Sequence, residues 1–398
     1  MHILYVQQML VLPGARGNDR CWAFAKSWVD AGHQVSFLTS TAGFTKDKTA
    51  EFQEKSTRHY IFQGIDIYAV DVNYAHKMSF PKRIISFIRF GVKAFFLGKK
   101  IKDIDLVLTY TPPLTVAYLG KKLADYHQKP FFLEVADAWP EVPIEMGIIR
   151  NSLLIKFLKR KTRQIYCAAQ HIFPFSDGIK TEIEKYGISP QKITVIYNGA
   201  DLDRFHLIAK KPKPQTTLIY AGTLGLANEV SQIIHVARKI EEMGRTDLEF
   251  IIIGDGNDQK RVAKDFLKNP CKLVKFYESV PREELSEYLE KADIGIVCFA
   301  PYPILETNSA TKFYDYLSMG LPVIINYQGW QGEYLRQFAC GLSAPQNDVN
   351  QWVNHILTLA DDADLRRVYG KNARKLAELI FDRKKMADQE LKLLEAFF

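Results

Sequence analysis

The amino-acid sequence predicts an α/β protein made of two doubly wound domains, and three observations carry that expectation. Short apolar strands alternate with amphipathic helical stretches along nearly the whole chain, as parallel sheets covered on both faces require. A polar, proline-rich link, Lys210-Lys211-Pro212-Lys213-Pro214, interrupts the alternation near mid-chain. The length, 398 residues, suffices for two separate cores.

In order, the first half opens with a strand over 2–6, a loop holding Pro13, Gly14 and Gly17, a helix over about 19–31 ended by Gly32-His33, and a strand over 35–39. The spacing of Gly14 and Gly17, with no acidic residue closing the second strand, excludes the dinucleotide fingerprint. Buried strands follow over 106–109 and 130–135, the second running into Glu134-Val135-Ala136-Asp137-Ala138-Trp139-Pro140-Glu141. Ligand sites of open α/β sheets lie beyond the carboxyl ends of strands, which is where Asp137 falls. A helix cap beside a packed Trp139 is the competing reading. Strands over 171–175 and 193–196, with a helix over 178–186 between them, close this half, and Asn198-Gly199 and Asp201 turn the chain.

The second half opens with a strand over 217–220 that feeds Gly222-Thr223-Leu224-Gly225, a glycine-rich turn entering a helix, whose amides suit a phosphate. A buried strand over 250–253 comes next, and later residues 276–280 lead into a helix at Pro281. Residues 303–326, PILETNSATKFYDYLSMGLPVIIN, then read as a polar loop, a short helix, a stop at Gly320-Leu321-Pro322 and an apolar strand. Thr311 reads as the helix cap, with Lys312 and Asp315 three apart on one face. First-turn amides and the positive helix end suit a phosphate, Lys312 adds a cation, and Asp315 accepts from paired hydroxyls such as those of a ribose. A nucleotide offers both groups; a solvated surface ion pair is the competing reading.

The segment from Thr311 through Lys312, Asp315, Tyr316 and Gly320 to Pro322-Val323 resembles the nucleotide-sugar signature of the family 4 glycosyltransferases, in particular the bacterial surface-polysaccharide, O-antigen and N-acetylfucosamine-type branch. That pattern has Glu where Asp315 stands, one methylene longer. Residues 195–205 are similar to the family's Asn-Gly-x-Asp-x-x-x-Phe hinge, 221–228 to its glycine-rich donor turn, and 134–141 to its Arg-Asp-x-Trp-Pro-Glu segment, with Ala136 replacing the Arg. The family's paired Glu is incomplete: Thr307 stands eight residues before Asp315, and Glu306 is one place off.

The resemblance implies the GT-B fold, two Rossmann-like domains facing a central cleft: an acceptor domain over 1–205, a nucleotide-sugar domain over 206–375, and a helix within 376–398 crossing back onto the first. It implies retaining, metal-independent hexosyl or N-acetylhexosaminyl transfer, without a cofactor, from a nucleotide sugar, foremost a UDP-sugar, to a glycan or polyprenyl-diphosphate-linked acceptor. Gly222, Thr223, Leu224, Glu278, Ser279, Val280, Asn308 and Thr311 then bind the donor. Lys312 and Asp315 serve the departing nucleotide, Asp137 the acceptor hydroxyl, and Gly17 and Arg20 line the acceptor side, where a glycine turn with a surface Arg is the competing reading. A sugar-nucleotide epimerase of the same architecture and a non-catalytic nucleotide-sugar or membrane-surface binding protein stay open as alternatives.

The net charge of +8 is concentrated. Residues 72–102 hold eight Lys or Arg and no acid, interleaved with aromatic and branched residues from Phe80 to Leu97, and 146–176 is a second acid-free basic stretch. Such composition suits a helix lying against anionic lipid, centred on 77–102; a core helix with a basic outer face is the competing reading. No nucleic-acid module accompanies the charge. The five cysteines are widely spaced among apolar residues and read as reduced core thiols rather than a disulfide framework or metal site. No basic leader precedes the first apolar run, and no apolar run reaches the roughly 18 residues needed to span a bilayer. The expectation is a cytoplasmic enzyme, peripheral on the inner membrane face.

Overall fold

Strand β1 (His2–Val6) buries all five of its residues, which suits it to the middle of a sheet covered on both faces. It pairs in parallel with β2 (Gln34–Ser40) on one side and β5 (Leu106–Thr111) on the other. Beyond β2 lie β4 (Ile65–Val70) and, antiparallel at the edge, β3 (His59–Phe62); beyond β5 lie β6 (Phe131–Val135) and β7 (His171–Pro174). This computed structural model describes residues 1–45, 48–49, 59–74, 78, 80–207 and 213–398.

Helix α1 (Arg20–Asp30) covers one face of the seven-stranded sheet. On the other, α2 (Phe80–Gly98), α3 (Leu114–His127) and α5 (Ser152–Ala168) pack Phe90, Ala94, Val116, Leu123 and Ile165 onto Leu4, Val107 and Leu133. Each such fully buried Ile, Leu or Phe contributes about 1.5–3 kcal/mol. The short α4 (Glu141–Glu145) follows β6, and α6 (Asp177–Glu184) follows β7. The last helix of the chain, α14 (Arg383–Glu395), lies on the α1 face. There the Trp28 indole N–H donates to the Ala387 carbonyl at 2.9 Å, and Phe397 packs edge-on against Phe132.

The second sheet has six parallel strands in the order β10 (Val274–Tyr277), β9 (Leu248–Ile253), β8 (Thr216–Ala221), β11 (Ile294–Val297), β12 (Val323–Ile325), β13 (Gly341–Ser343). Around it lie α7 (Ser231–Glu242), α8 (Gln259–Lys268), α9 (Arg282–Lys291), α10 (Thr311–Ser318), α11 (Gly329–Phe338), α12 (Val349–Asp361) and α13 (Ala363–Leu379). Gly320, at φ +65°, ends α10 with the Leu321 amide donating to the Tyr316 carbonyl, a glycine-dependent helix stop at the place the sequence set it.

One unit comprises Met1–Tyr197, Thr307–Ser309 and Lys384–Phe398; the other comprises Asn198–Glu306 and Ala310–Arg383. By contacts the divisions between the units fall at Tyr197 and Arg383. The turn-forming string after Tyr197 belongs with the second unit because Ala200 bridges to Asp382 and the Asp201 carboxylate holds Arg383 at 3.0 Å. Of the proline-rich link, 210–212 lie outside the described residues, and Lys213 pairs with Asp293 at 2.8 Å.

Three further differences have local causes. The expected strand over 193–196 is reduced to a single bridge between Ile193 and Ile172, since its neighbour strand ends in Pro174, which has no N–H for a ladder. The β3–β4 hairpin was not expected; Gln63 and Gly64, at φ 49° and 82°, form its two-residue turn, and its edge strand is too exposed to show a clear apolar pattern. Four cysteines are buried, but Cys167 is exposed on the outer face of α5.

Candidate functional site

In the second unit the site grows from how α10 is fixed over β8 and β11. Gly295 leaves room for the Tyr316 ring, with which any side chain there would collide, and the Tyr316 hydroxyl accepts from the Ala221 amide at 2.9 Å. This sets Lys312, second residue of α10, against the turn that follows β8. A Cβ on Gly222 would stand 2.6 Å from Lys312 Cε and 3.1 Å from Nζ, so a side chain there would shift the end of the lysine. The Lys312 amine lies 4.8 Å from the centre of the Tyr220 ring, a cation–π placement.

The glycine-rich turn is itself clamped. The Gly222 amide donates to the Ile253 carbonyl at 2.9 Å and the Leu224 amide to the Asp255 carbonyl at 2.8 Å, while the Tyr220 hydroxyl donates to the Thr223 carbonyl. The sequence expectation of several free amides is thus corrected: Gly222 and Leu224 have theirs engaged by the end of β9, and among the described residues the Thr223 amide between them has no protein acceptor. Thr311 does not cap α10. Ala310 occupies the cap position with no side-chain bond, and Thr311 is the first helical residue, so the positive end of α10 carries no side-chain cap.

Asp315 also differs from expectation. It is only 3% exposed, and both carboxylate oxygens face the Arg282 guanidinium, Nη1 to Oδ2 at 3.1 Å and Nη2 to Oδ1. A bidentate pair of this kind takes one acceptor position on each carboxylate oxygen. Burial pushes the Asp315 carboxyl up and Arg282 pulls it back down, with a net rise. Burial pushes the Lys312 amine down, opposed by Cys298 and Asp315.

Glu278, Ser279 and Val280 follow β10, two strands from β8 at the same sheet end, with Glu278 exposed. Arg282 begins α9 directly after them, so its bond to Asp315 ties this loop to α10. Asn308 falls in the Thr307–Ser309 stretch that belongs with the first unit, where the Ser176 hydroxyl donates to the Thr307 carbonyl.

In the first unit, Asp137 lies just past the carboxyl end of β6, as expected. It caps no helix: Pro140 holds the cap position of α4. Burial pushes its carboxyl up to about 6. Gly17, at φ +125°, is exposed in the loop after β1. Arg20 is not beside it on the surface. It is 1% exposed, sandwiched between the rings of Phe24 and Phe175, and bonded to Glu134 and, at 3.0 Å, to Glu390 of α14. The Tyr5 hydroxyl completes the cluster on Glu134, and burial together with Glu134 pushes the Glu390 carboxyl well above its usual range. Arg20 is therefore an internal counter-ion, not an acceptor-lining group. Among the described residues no group of three His, Cys, Asp or Glu is placed to hold a metal ion.

Residues 19–204 match the family described as Glycosyltransferase Family 4, and residues 201–376 match Glycosyl transferases group 1. The chain belongs to the family 4 glycosyltransferases. Over 254 residues this glycosyltransferase is 26% identical to the N-acetylgalactosamine-N,N'-diacetylbacillosaminyl-diphospho-undecaprenol 4-alpha-N-acetylgalactosaminyltransferase of Campylobacter jejuni, covering 61% of this chain and 64% of that protein. It is 22% identical to the UDP-Gal:alpha-D-GlcNAc-diphosphoundecaprenol alpha-1,3-galactosyltransferase of Escherichia coli, covering 76% and 83%. Among solved structures, Anabaena HepE in complex with UDP-glucose superposes with a TM-score of 0.70 over all of both chains at 14% identity. The fold is GT-B.

Two buried partners of the predicted site residues escaped the sequence reading of the glycosyltransferase, and each left a signal. Glu134 is a lone charge in the otherwise apolar strand Phe131–Val135, and a buried carboxylate requires a partner. Arg282 places a cation in the first turn of a helix, against the macrodipole, which asks for a compensating anion.

Proposed function

We propose that this glycosyltransferase moves a sugar from a UDP-sugar, with retention and without a metal, to a glycan carried on a polyprenyl diphosphate in surface-polysaccharide assembly. The observation that carries the reading is the convergence of Lys312 and the Thr223 amide beside the uncapped positive end of α10. A fixed cation, a backbone donor and a helix end together suit a diphosphate that gains charge as it leaves. The UDP-Gal in the name of the Escherichia coli relative and the UDP-glucose bound by Anabaena HepE favour UDP, and both curated relatives are named for undecaprenol-diphosphate acceptors.

In this reading the bond between the anomeric carbon and the diphosphate oxygen breaks as the acceptor oxygen bonds to the same carbon from the same face. The acceptor proton passes to the departing phosphate oxygen, so no side-chain nucleophile is needed. Asp137 orients the acceptor hydroxyl, the Glu278–Val280 loop brackets the base, and Asn308 and Thr311 approach the donor. The test is incubation of the purified enzyme with UDP-sugars, alone and with a polyprenyl-diphosphate-linked acceptor, in EDTA. Transfer is expected only with both substrates and undiminished by the chelator. Epimerised donor without acceptor would instead establish an epimerase, and donor binding without turnover on any acceptor a binding protein. Rescue of a chelated, inactive enzyme by Mg²⁺ or Mn²⁺ would overturn metal independence.

The location belongs to the same proposal. Among the described residues no helix is long and apolar enough to cross a membrane. On α2, however, Ile84, Ile88, Val92 and Phe96 recur every fourth residue as an exposed stripe, bordered by Lys82, Arg89 and Lys93, while Ser86, Phe90 and Ala94 face the core. On α5, Leu153 and Phe157 are exposed among Lys156, Arg160 and Lys161. Both helices pack beside α3. Lys77, at the head of the basic stretch, lies outside the described residues. Each cation near an anionic surface contributes about 1 kcal/mol, and the apolar stripe adds a part that salt does not screen. Anionic vesicles are therefore expected to co-sediment the enzyme at low salt, and less of it at high salt. No binding at low salt would remove the case for attachment to the inner membrane face.

A further inference from the structure

Resting on the reading of Lys312 as the cation at the donor diphosphate, we infer that Arg282 is a positioning residue for it: Arg282 holds Asp315 as a carboxylate, and that charge, on the same helix face, holds Lys312 as a cation. Both members of the pair are nearly sealed, Arg282 7% and Asp315 3% exposed, so little water screens them. Arg282 comes from α9, 33 residues earlier in the chain, and its guanidinium also lies 5.2 Å from the centre of the Phe205 ring.

Among the described residues, the groups around α10 point to this relay as the source of the charge. Against Lys312 stand Tyr220 of β8, whose burial keeps its hydroxyl neutral, and Cys298 just past β11, whose thiol is pushed up to about 12. Neither is an anion at neutral pH. Around Asp315 stand Arg282, Arg383 and Asp201, the first of these the strongest attraction. Arg374 of α13 donates to the Ser318 carbonyl at the far end of the helix. Without Arg282, burial favours the neutral acid at Asp315. Lys312, itself desolvated, then loses the neighbour that offsets its burial and gives up its proton at lower pH. A neutral amine would leave the diphosphate without its cation.

Only the neutral amine reacts with an acylating reagent, so modification of Lys312 against pH, read by peptide mass spectrometry, measures its protonation apart from catalysis. In the wild-type enzyme Lys312 is expected to stay protected from the reagent at neutral pH; full modification there would by itself overturn the inference. In Arg282→Met the midpoint is expected to fall by about one unit or more, the scale of losing an opposite charge at close range. Arg282→Lys, which keeps the charge, should restore most of it, and Asp315→Asn should reproduce the fall. A folded Arg282→Met enzyme with the wild-type midpoint would also overturn the inference. The alkaline limb of kcat/KM should move with the amine. If the amine moves and the limb does not, the positioning stands and the diphosphate role of Lys312 falls.

Discussion

Lys312→Ala is expected to lower kcat about 100-fold or more, the scale of removing one preorganised donor to a developing anion. The size of the effect follows from the setting. The amine is held by the Tyr220 ring on one side and the Gly222 backbone on the other, in a place where burial already opposes its charge. A cation maintained there against its own desolvation is not reorganised when the leaving group gains charge, and solvent does not stand in for it. The fold should survive, since the lysine end anchors no other element, and the far-ultraviolet circular dichroism and Tm of the variant should match the parent. Near-normal kcat with the natural substrate pair would overturn the assignment.

Arg20→Ala should act on stability instead, by about 3–5 kcal/mol, the cost of breaking a buried ion cluster by removing one partner. The guanidinium is the counter-charge to Glu134 of β6 and Glu390 of α14, and without it two carboxyl groups face each other in a site that excludes water. Glu390 would escape by holding its proton, as burial and Glu134 already incline it to do; Glu134 would keep the Tyr5 hydroxyl but lose its counter-charge. Urea unfolding is expected to show the loss. Donor affinity measured on the folded fraction should be unchanged, because no donor-side residue touches the cluster. A stable Arg20→Ala enzyme with weakened acceptor binding would restore the sequence expectation that Arg20 faces the acceptor.

These two residues also mark where the sequence was legible. Lys312 could be placed beside the glycine-rich turn after β8 because strand, turn and helix follow one another in local order, and a short motif carries that geometry. Arg20 could not, since its partner Glu390 lies 370 residues away and a single arginine at a helix start reads equally as surface. The pairing of Asp315 was illegible in the same way, because Arg282 enters from another helix. The central strands were readable because doubly covered parallel strands are continuous apolar runs, as in β1, β6 and β9. The half-exposed β3 and the three-residue β13 lack that pattern. Register and burial at the sheet edges are set by neighbours that the local sequence does not name.

The close fit of Lys312 against Gly222 has a consequence for how such a chain can change over time. The two positions are one unit of heredity in all but distance: a lineage that acquires any side chain at Gly222 pushes the lysine aside and silences its charge without altering it, and one that loses the lysine no longer needs the glycine. In the proposed reading of Lys312, change at Gly222 is therefore coupled to whether the lysine is still in use, although the two positions lie 90 residues apart in the chain.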